Sequence, residues 1–211
     1  MTVRLFDYYR SSASYRVRIA LNLKGIAYER VDISLLAGDQ RSAENLARNP
    51  QGFVPTLEVD GAFIPQSLAI IDYLDARNPE PSLLPRDAVA RAQALAQALV
   101  IAADTHPINN LRILQYLKNE LGLDEAARTA WIHRWIGEGF AALEAMTTPG
   151  ARFLGGDRPG LADICLVPQM YNARRFAMPL DAYPALVRID AACAEVEAFA
   201  AAHPDRFAPA A

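Results

Sequence analysis

Three hydroxyls crowd one short stretch of the chain, Arg10-Ser11-Ser12-Ala13-Ser14-Tyr15-Arg16-Val17-Arg18-Ile19-Ala20-Leu21. The stretch follows a period-two alternation at Val3 and Leu5 and leads into helical spacing at Val17, Ala20, Leu21 and Leu23. The serines therefore stand where a strand hands over to the N-terminus of a helix. Unpaired backbone N–H groups and the helix dipole favour an anion at such a place. A thiol, with a pKa near about 8.5 in model peptides, ionises more readily there. A hydroxyl donating a hydrogen bond to the sulfur favours the thiolate further. Taken alone, the same serines read equally well as helix caps.

The chain's own cysteines do not supply that sulfur. Cys165 and Cys193 form no CxxC pair, and their apolar helical surroundings read as buried, inert thiols. Thiol chemistry at the serine turn would need a sulfur brought by a cofactor. His106, His133 and His203 lack metal-ligand spacing, so no metal site is expected.

Two further groups of residues accompany the serine turn. Val54-Pro55 lies just before a strand, where a proline can take the cis form and leave the Val54 N–H and C=O facing outward. A peptide-like ligand could pair with them as an added strand. Gln66-Ser67 is a polar pair at another helix start, suited to a carboxylate. Singly these are a turn and a cap; in this order they outline a groove for a tripeptide.

The elements that must position these residues read as β-α-β-α-β-β-α over residues 1–80, a thioredoxin-like α/β domain. Strands are expected around residues 3–5, 28–33, 56–59 and 62–64, the last two joined by the hairpin signal Asp60-Gly61. Helices are expected after Ser12 with Gly25 as a stop, at residues 45–48, and after Ser67 as N-cap. Asn78-Pro79-Glu80-Pro81-Ser82 reads as a linker, because its two prolines stop helix and sheet alike. Residues 87–211 then read as an all-helical domain, with helices over 88–100, 108–121, 126–146, 161–176 and 185–202 and a frayed tail from Pro204. A formal charge of -3 over 211 residues gives no whole-molecule attraction for nucleic acid or an anionic membrane. Neither a membrane span nor a signal-peptide pattern is read, so a cytoplasmic location is expected.

Ser11-Ser12-x-Ser14-x-Arg16-Val17-Arg18-Ile19-Ala20-Leu21, then Asn49-Pro50…Val54-Pro55-Thr56-Leu57, then Gln66-Ser67-Leu68-Ala69-Ile70-Ile71-x-Tyr73-Leu74 resemble the zeta class of glutathione transferases. The likeness continues through residues 108–114, Leu161-Ala162-Asp163 and the stretch from Leu166 to Phe176, nearly the whole chain. The resemblance implies glutathione as cofactor, a homodimer, and a thioredoxin-like domain followed by an all-helical one that completes the substrate site. It implies that Ser11 supports the glutathione thiolate with Ser12 beside it. Gln40, Val54, Gln66 and Ser67 would hold the tripeptide, helped by His106 and Asn110 across the domain boundary. Asp163 matches the helix-capping acid of the fold, but Gly160 stands at the N-cap where Ser or Thr would complete a capping box. Ala13 is the larger departure: zeta sequences typically carry cysteine there, and maleylpyruvate isomerases can carry threonine.

The activity implied is cis–trans isomerisation of a maleyl-type dicarboxylate, maleylacetoacetate to fumarylacetoacetate or maleylpyruvate to fumarylpyruvate. Thiolate addition turns the conjugated double bond into a single bond that can rotate, and elimination restores it in the trans form. A dianionic substrate calls for separated cations, and Arg10, Arg112 and Arg175 are the candidates. Residues 106, 109, 110 and 113 are expected close to one helical face beside Arg112. Two other readings remain at this point: a general zeta-type transferase that conjugates or dehalogenates, and a non-catalytic transferase-like binding protein. Retention of Ser11, Gln66 and Ser67 weighs against the last.

Overall fold

The computed structural model describes residues 2–209. Contacts divide the chain into two compact units, one running from the N-terminus to Ser82 and resuming at Glu195, the other Leu83–Ala194. The return of the chain from Glu195 to the first unit differs from the sequence reading, which leaves everything after residue 87 in the helical domain.

The first unit follows the predicted order. Strand β1 (Val3–Asp7) leads to α1 (Ser12–Leu23), β2 (Glu29–Asp32), α2 (Ala43–Arg48), the hairpin β3 (Thr56–Val59) and β4 (Ala62–Pro65), and α3 (Ser67–Arg77). The sheet order is β2-β1-β3-β4, with β1 parallel to β2 and antiparallel to β3. Parallel neighbours need a crossover connection, and α1 supplies it between β1 and β2. In register, Leu5 faces Leu57 and Val3 faces Val59, and all four are buried. Helix α1 buries nearly its whole surface: Val17, Ile19, Ala20 and Leu21 are inaccessible, and so are the polar Ser14 and Arg18. A short 3-10 turn, Asp39–Arg41, precedes α2. Gly52 allows that turn to approach, since it has φ +63 and a Cβ there would stand 3.0 Å from the Gln40 carbonyl oxygen.

Two local expectations change. Ser67 is the first residue of α3, not its cap; the N-cap is Gln66, at φ 71 and ψ 117, with no side-chain capping bond. Gln66 turns its backbone away from helical geometry directly after β4, which leaves Ser67 as the first residue with helical dihedrals. The fraying expected from Pro204 is not found among the described residues: α9 (Glu197–Ala201) packs on α1, and the 3-10 turn Pro204–Phe207 follows with Pro204 buried. The helix expected over residues 185–202 is broken at Val196, whose ψ of 121 is extended.

The second unit is helical: α4 (Ala88–Leu99), α5 (Leu111–Asn119), α6 (Glu125–Ala145), α7 (Leu161–Arg175) and α8 (Pro184–Ala194). Helix α4 does not simply end but widens into a π-helical turn, Val100–Thr105, followed by the 3-10 turn His106–Ile108. The Thr105 hydroxyl donates to the Val100 carbonyl at 2.8 Å, tying the wide turn at both ends. Gly139 of α6 permits it, because a Cβ there would stand 2.2 Å from the Thr105 hydroxyl oxygen. Asn110 then caps α5, its side chain accepting from the Ile113 N–H at 3.3 Å. The expectation that residues 106, 109, 110 and 113 share one helical face is therefore overturned. His106 lies in the 3-10 turn and Ile113 in α5, and Asn110 between them has extended dihedrals (φ -78, ψ 167).

The start of α7 is held by Asp163. Its carboxylate accepts from the N–H groups of Leu154 at 2.7 Å, Gly155 at 3.0 Å and Gly160 at 2.9 Å. Burial pushes this carboxyl up from its ordinary range, and the amide donors oppose the shift. Gly160 returns no capping bond, so the box is half made. Replacing Asp163 with Ala strands these buried donors and is expected to lower unfolding stability by roughly 3 kcal/mol or more, read from urea denaturation.

Candidate active site

At the β1–α1 turn, Ser11 is the N-cap of α1, and its Oγ accepts from the Ser14 N–H at 3.2 Å. An oxygen engaged as acceptor keeps its own proton for donation elsewhere. The Ser11 N–H is occupied by the Tyr8 carbonyl at 2.9 Å, and the first helical bond runs from the Tyr15 N–H to the Ser11 carbonyl at 2.9 Å. The amides of Ser12 and Ala13 are thus the donors that the helix end leaves over. Ala13 contributes through its backbone, so loss of the family's side chain at that position leaves this donor in place. Ser12 is buried, and so is Ser14, whose hydroxyl has no hydrogen-bond partner among the described residues.

Val54 lies against this turn. It shares a cluster with Phe6, Tyr8 and Ile33, onto which Tyr9 packs. The Val54-Pro55 bond takes the cis form that the sequence left open to it, and Glu80-Pro81 is cis as well. No backbone hydrogen bond engages the Val54 N–H or C=O among the described residues. Ser67, 5% exposed, accepts from Arg16 Nη1 at 3.3 Å. That bond links the first turn of α3 to α1. The Gln66 amide donates to the Gln51 side chain at 2.7 Å. Gln40 holds its loop through its carbonyl, which accepts from Asn45 Nδ2 at 3.0 Å, while its buried Oε1 has no partner among the described residues. Arg10 donates to the Tyr8 hydroxyl at 3.2 Å and lies 5.1 Å from the Tyr9 ring centre.

These groups suit a peptide-like ligand with an acidic end and an ionisable thiol. Ser11 has a proton to give, Val54 an unpaired backbone N–H and C=O just before β3, and α3 an uncapped N-terminus. The orphaned Gln40 side chain adds a further polar contact. A depression of about 620 Å³ lined by Val3, Ile26, Ala27, Arg77 and Asn78 includes none of them.

Comparison with known proteins decides the family. Residues 5–82 match the glutathione S-transferase N-terminal domain. Maleylacetoacetate isomerase of Rhizobium meliloti (strain 1021) is 51% identical over 207 residues, 97% of each chain. A holo structure of maleylpyruvate isomerase, described as a bacterial zeta-class glutathione S-transferase, superposes with a TM-score of 0.96 at 44% identity, covering 99% of this chain and 100% of that one. The chain belongs to the zeta class of glutathione transferases. A second structural neighbour, maleylacetoacetate isomerase from Anaeromyxobacter dehalogenans 2CP-1, carries bound dicarboxyethyl glutathione and citrate in its active site. It is 46% identical with a TM-score of 0.86, over 97% of this chain and 95% of that one.

Within the second unit of this transferase, His106 is half-buried at the start of the 3-10 turn. Asn110 spends its Oδ1 on the α5 cap, leaving its amide N–H groups for a ligand. Arg112 is exposed in the first turn of α5. Arg175 is exposed in the last turn of α7, its guanidinium 4.7 Å from the Phe176 ring centre. His133 is structural, bonded to the Phe176 carbonyl at 2.8 Å. Both cysteines are buried, and burial pushes the Cys193 thiol far above its ordinary pKa, so it is no nucleophile.

Sequence reasoning missed Arg16, Arg18 and Asp7. Arg16 and Arg18 interrupt an otherwise apolar run, yet both are buried. Two cations on a helix without a polar face are the signal that was available.

Proposed function

We propose that this chain catalyses glutathione-dependent cis–trans isomerisation of a maleyl-type dicarboxylate, maleylacetoacetate or maleylpyruvate. The observation that carries the reading is the Ser11 turn, with a hydroxyl proton to donate and two helix-end amides beside it. When bound, glutathione supplies a thiolate that adds reversibly to the conjugated double bond and so permits rotation. Ser11 holds the sulfur in its ionised form, and the Ser12 and Ala13 amides add the field of the helix end. Val54 pairs with the tripeptide backbone, and Gln40, Gln66 and Ser67 hold its polar ends, with His106 and Asn110 contributing from the second unit. Arg10, Arg112 and Arg175 bind the carboxylates of the substrate. The dicarboxyethyl glutathione found in the Anaeromyxobacter relative supports this, since it joins the cofactor sulfur to a two-carboxylate skeleton of the same kind.

The protein acts as a cytoplasmic homodimer in this reading. Exposed apolar side chains, Phe63 on β4 and Val89, Leu95 and Leu99 on α4, support pairing between copies. No helix among the described residues is long and apolar enough to cross a membrane. The test is a spectrophotometric assay of both substrates with and without glutathione. Turnover that requires glutathione and returns it free is expected. Turnover without it would remove the mechanism, and a product that keeps the sulfur would mark a conjugating transferase.

A further inference from the structure

Arg18 lies on α1 at 0% exposure, an unusual place for a guanidinium. Its Nη1 donates to both oxygens of Asp7, at 2.9 and 2.8 Å, and Asp7 is equally inaccessible at the end of β1. The second oxygen of Asp7 also accepts from Arg30 Nε of β2 at 2.9 Å. Charge balance therefore explains one donor pair. The rest of the guanidinium is used differently: Nη2 donates to the Tyr9 carbonyl at 2.9 Å, and Nε donates to the Ala202 carbonyl at 3.1 Å.

Those two acceptors lie in very different parts of the sequence. Tyr9 stands two residues before Ser11 in the turn that carries the reactive hydroxyl. Ala202 belongs to the C-terminal segment that returns to the first unit. The same segment sets the Phe207 ring 4.9 Å from the Arg18 guanidinium and 5.4 Å from that of Arg30. It also places His203 edge-on to Tyr15, with ring centres 6.2 Å apart, and the Ala198 carbonyl 2.9 Å from the Asn22 amide. One planar fork thus connects the strand end, the serine turn and the end of the chain.

We propose that Arg18 is a positioning residue for the thiolate site, and that docking of the C-terminal segment through Ala202 and Phe207 keeps its guanidinium aimed at the Tyr9 carbonyl. Lysine cannot replace it, because a single ammonium does not reach Asp7, Tyr9 and Ala202 in one planar fan. Removing the fork frees the Tyr9 carbonyl, and the two-residue lever to Ser11 loses its fixed end. The hydroxyl then donates to the sulfur in a smaller share of conformations, and ionisation of the bound thiol weakens. This rests on the proposed function through Ser11 alone.

The test uses the full chain with Arg18→Lys and Phe207→Ala substitutions, saturated with glutathione at neutral pH. The readouts are the ultraviolet absorbance of bound thiolate and, by calorimetry, glutathione affinity. The ionised fraction should fall about three- to tenfold in Arg18→Lys, and less in Phe207→Ala, with affinity held within about threefold in both. If the lysine variant does not fold, Phe207→Ala decides, since it leaves the Asp7–Arg18 pair intact. Folded variants that lose thermal stability but keep the parent's thiolate signal would reduce Arg18 to a structural ion pair and overturn the proposal. A parent protein that binds glutathione with no thiolate signal would instead overturn the role given to Ser11.

Discussion

Replacing Ser11 with Ala is expected to lower turnover about 10²-fold while glutathione affinity changes by no more than about threefold. The asymmetry follows from what the hydroxyl does. In the proposed reading the tripeptide lies along Val54, Gln40, Gln66 and Ser67, so most of its binding free energy lies away from Ser11. In that reading the hydroxyl proton meets only the sulfur, and a hydrogen bond to a charged atom favours the charged form over the neutral thiol. Ser11 also caps α1 through the Ser14 N–H, so the alanine variant loses about 1 kcal/mol of helix stability as well. Ser11→Gly separates the two effects, because glycine keeps most of an N-cap's worth. Turnover in the glycine variant should fall as far as in the alanine variant. If steady-state assays found the parent rate in either, the hydroxyl that stabilises the sulfur would have to be sought elsewhere, with the buried Ser12 and Ser14 as the next candidates.

Replacing Arg112 with Ala should raise the KM for the dicarboxylate roughly 30-fold with kcat little changed, the loss of a charge-assisted pair worth about 2 kcal/mol. The position of Arg112 carries the argument. It is the second residue of α5, after the Asn110 cap, in a first turn that holds no acidic side chain. A cation there opposes the helix dipole. The same spot favours a bound carboxylate, which would meet both the guanidinium and the first-turn amides. By helix electrostatics alone, the alanine variant should be no less stable than the parent. Thermal denaturation beside the KM measurement therefore distinguishes substrate recognition from a structural role. A fall in kcat at constant KM would place that guanidinium at the reacting double bond instead.

How far the site was legible in the sequence depends on the range of the interactions. Ser11 as a cap, the Asp60-Gly61 hairpin, the stop at Gly25 and the strand–helix alternation of the first domain were readable because each is decided within a few residues. The π-helical turn was not. Residues 88–121 carry two ordinary helical stripes, and nothing local announces that α4 widens where Gly139 of α6 lets Thr105 come close. Asn110 shows the consequence: its Oδ1 is committed to starting α5, which leaves its amide N–H groups for a ligand. The cap of α3 misled for a related reason. Serine is the better capping residue in isolation, but the path out of β4 puts Gln66 at positive φ and moves Ser67 one place into the helix.

By itself the sequence determined the order of elements, the serine turn at the head of α1 and the polar pair at the head of α3, since backbone preference and hydrogen bonding between near neighbours suffice for these. Only the tertiary structure decided that the chain after Glu195 comes back to the first unit and that Arg18 reaches Asp7, Tyr9 and Ala202 together. Its bond to Ala202 spans 184 positions of chain. Periodicity cannot encode such a bond; it forms because a buried guanidinium must find an acceptor for every N–H it takes out of water.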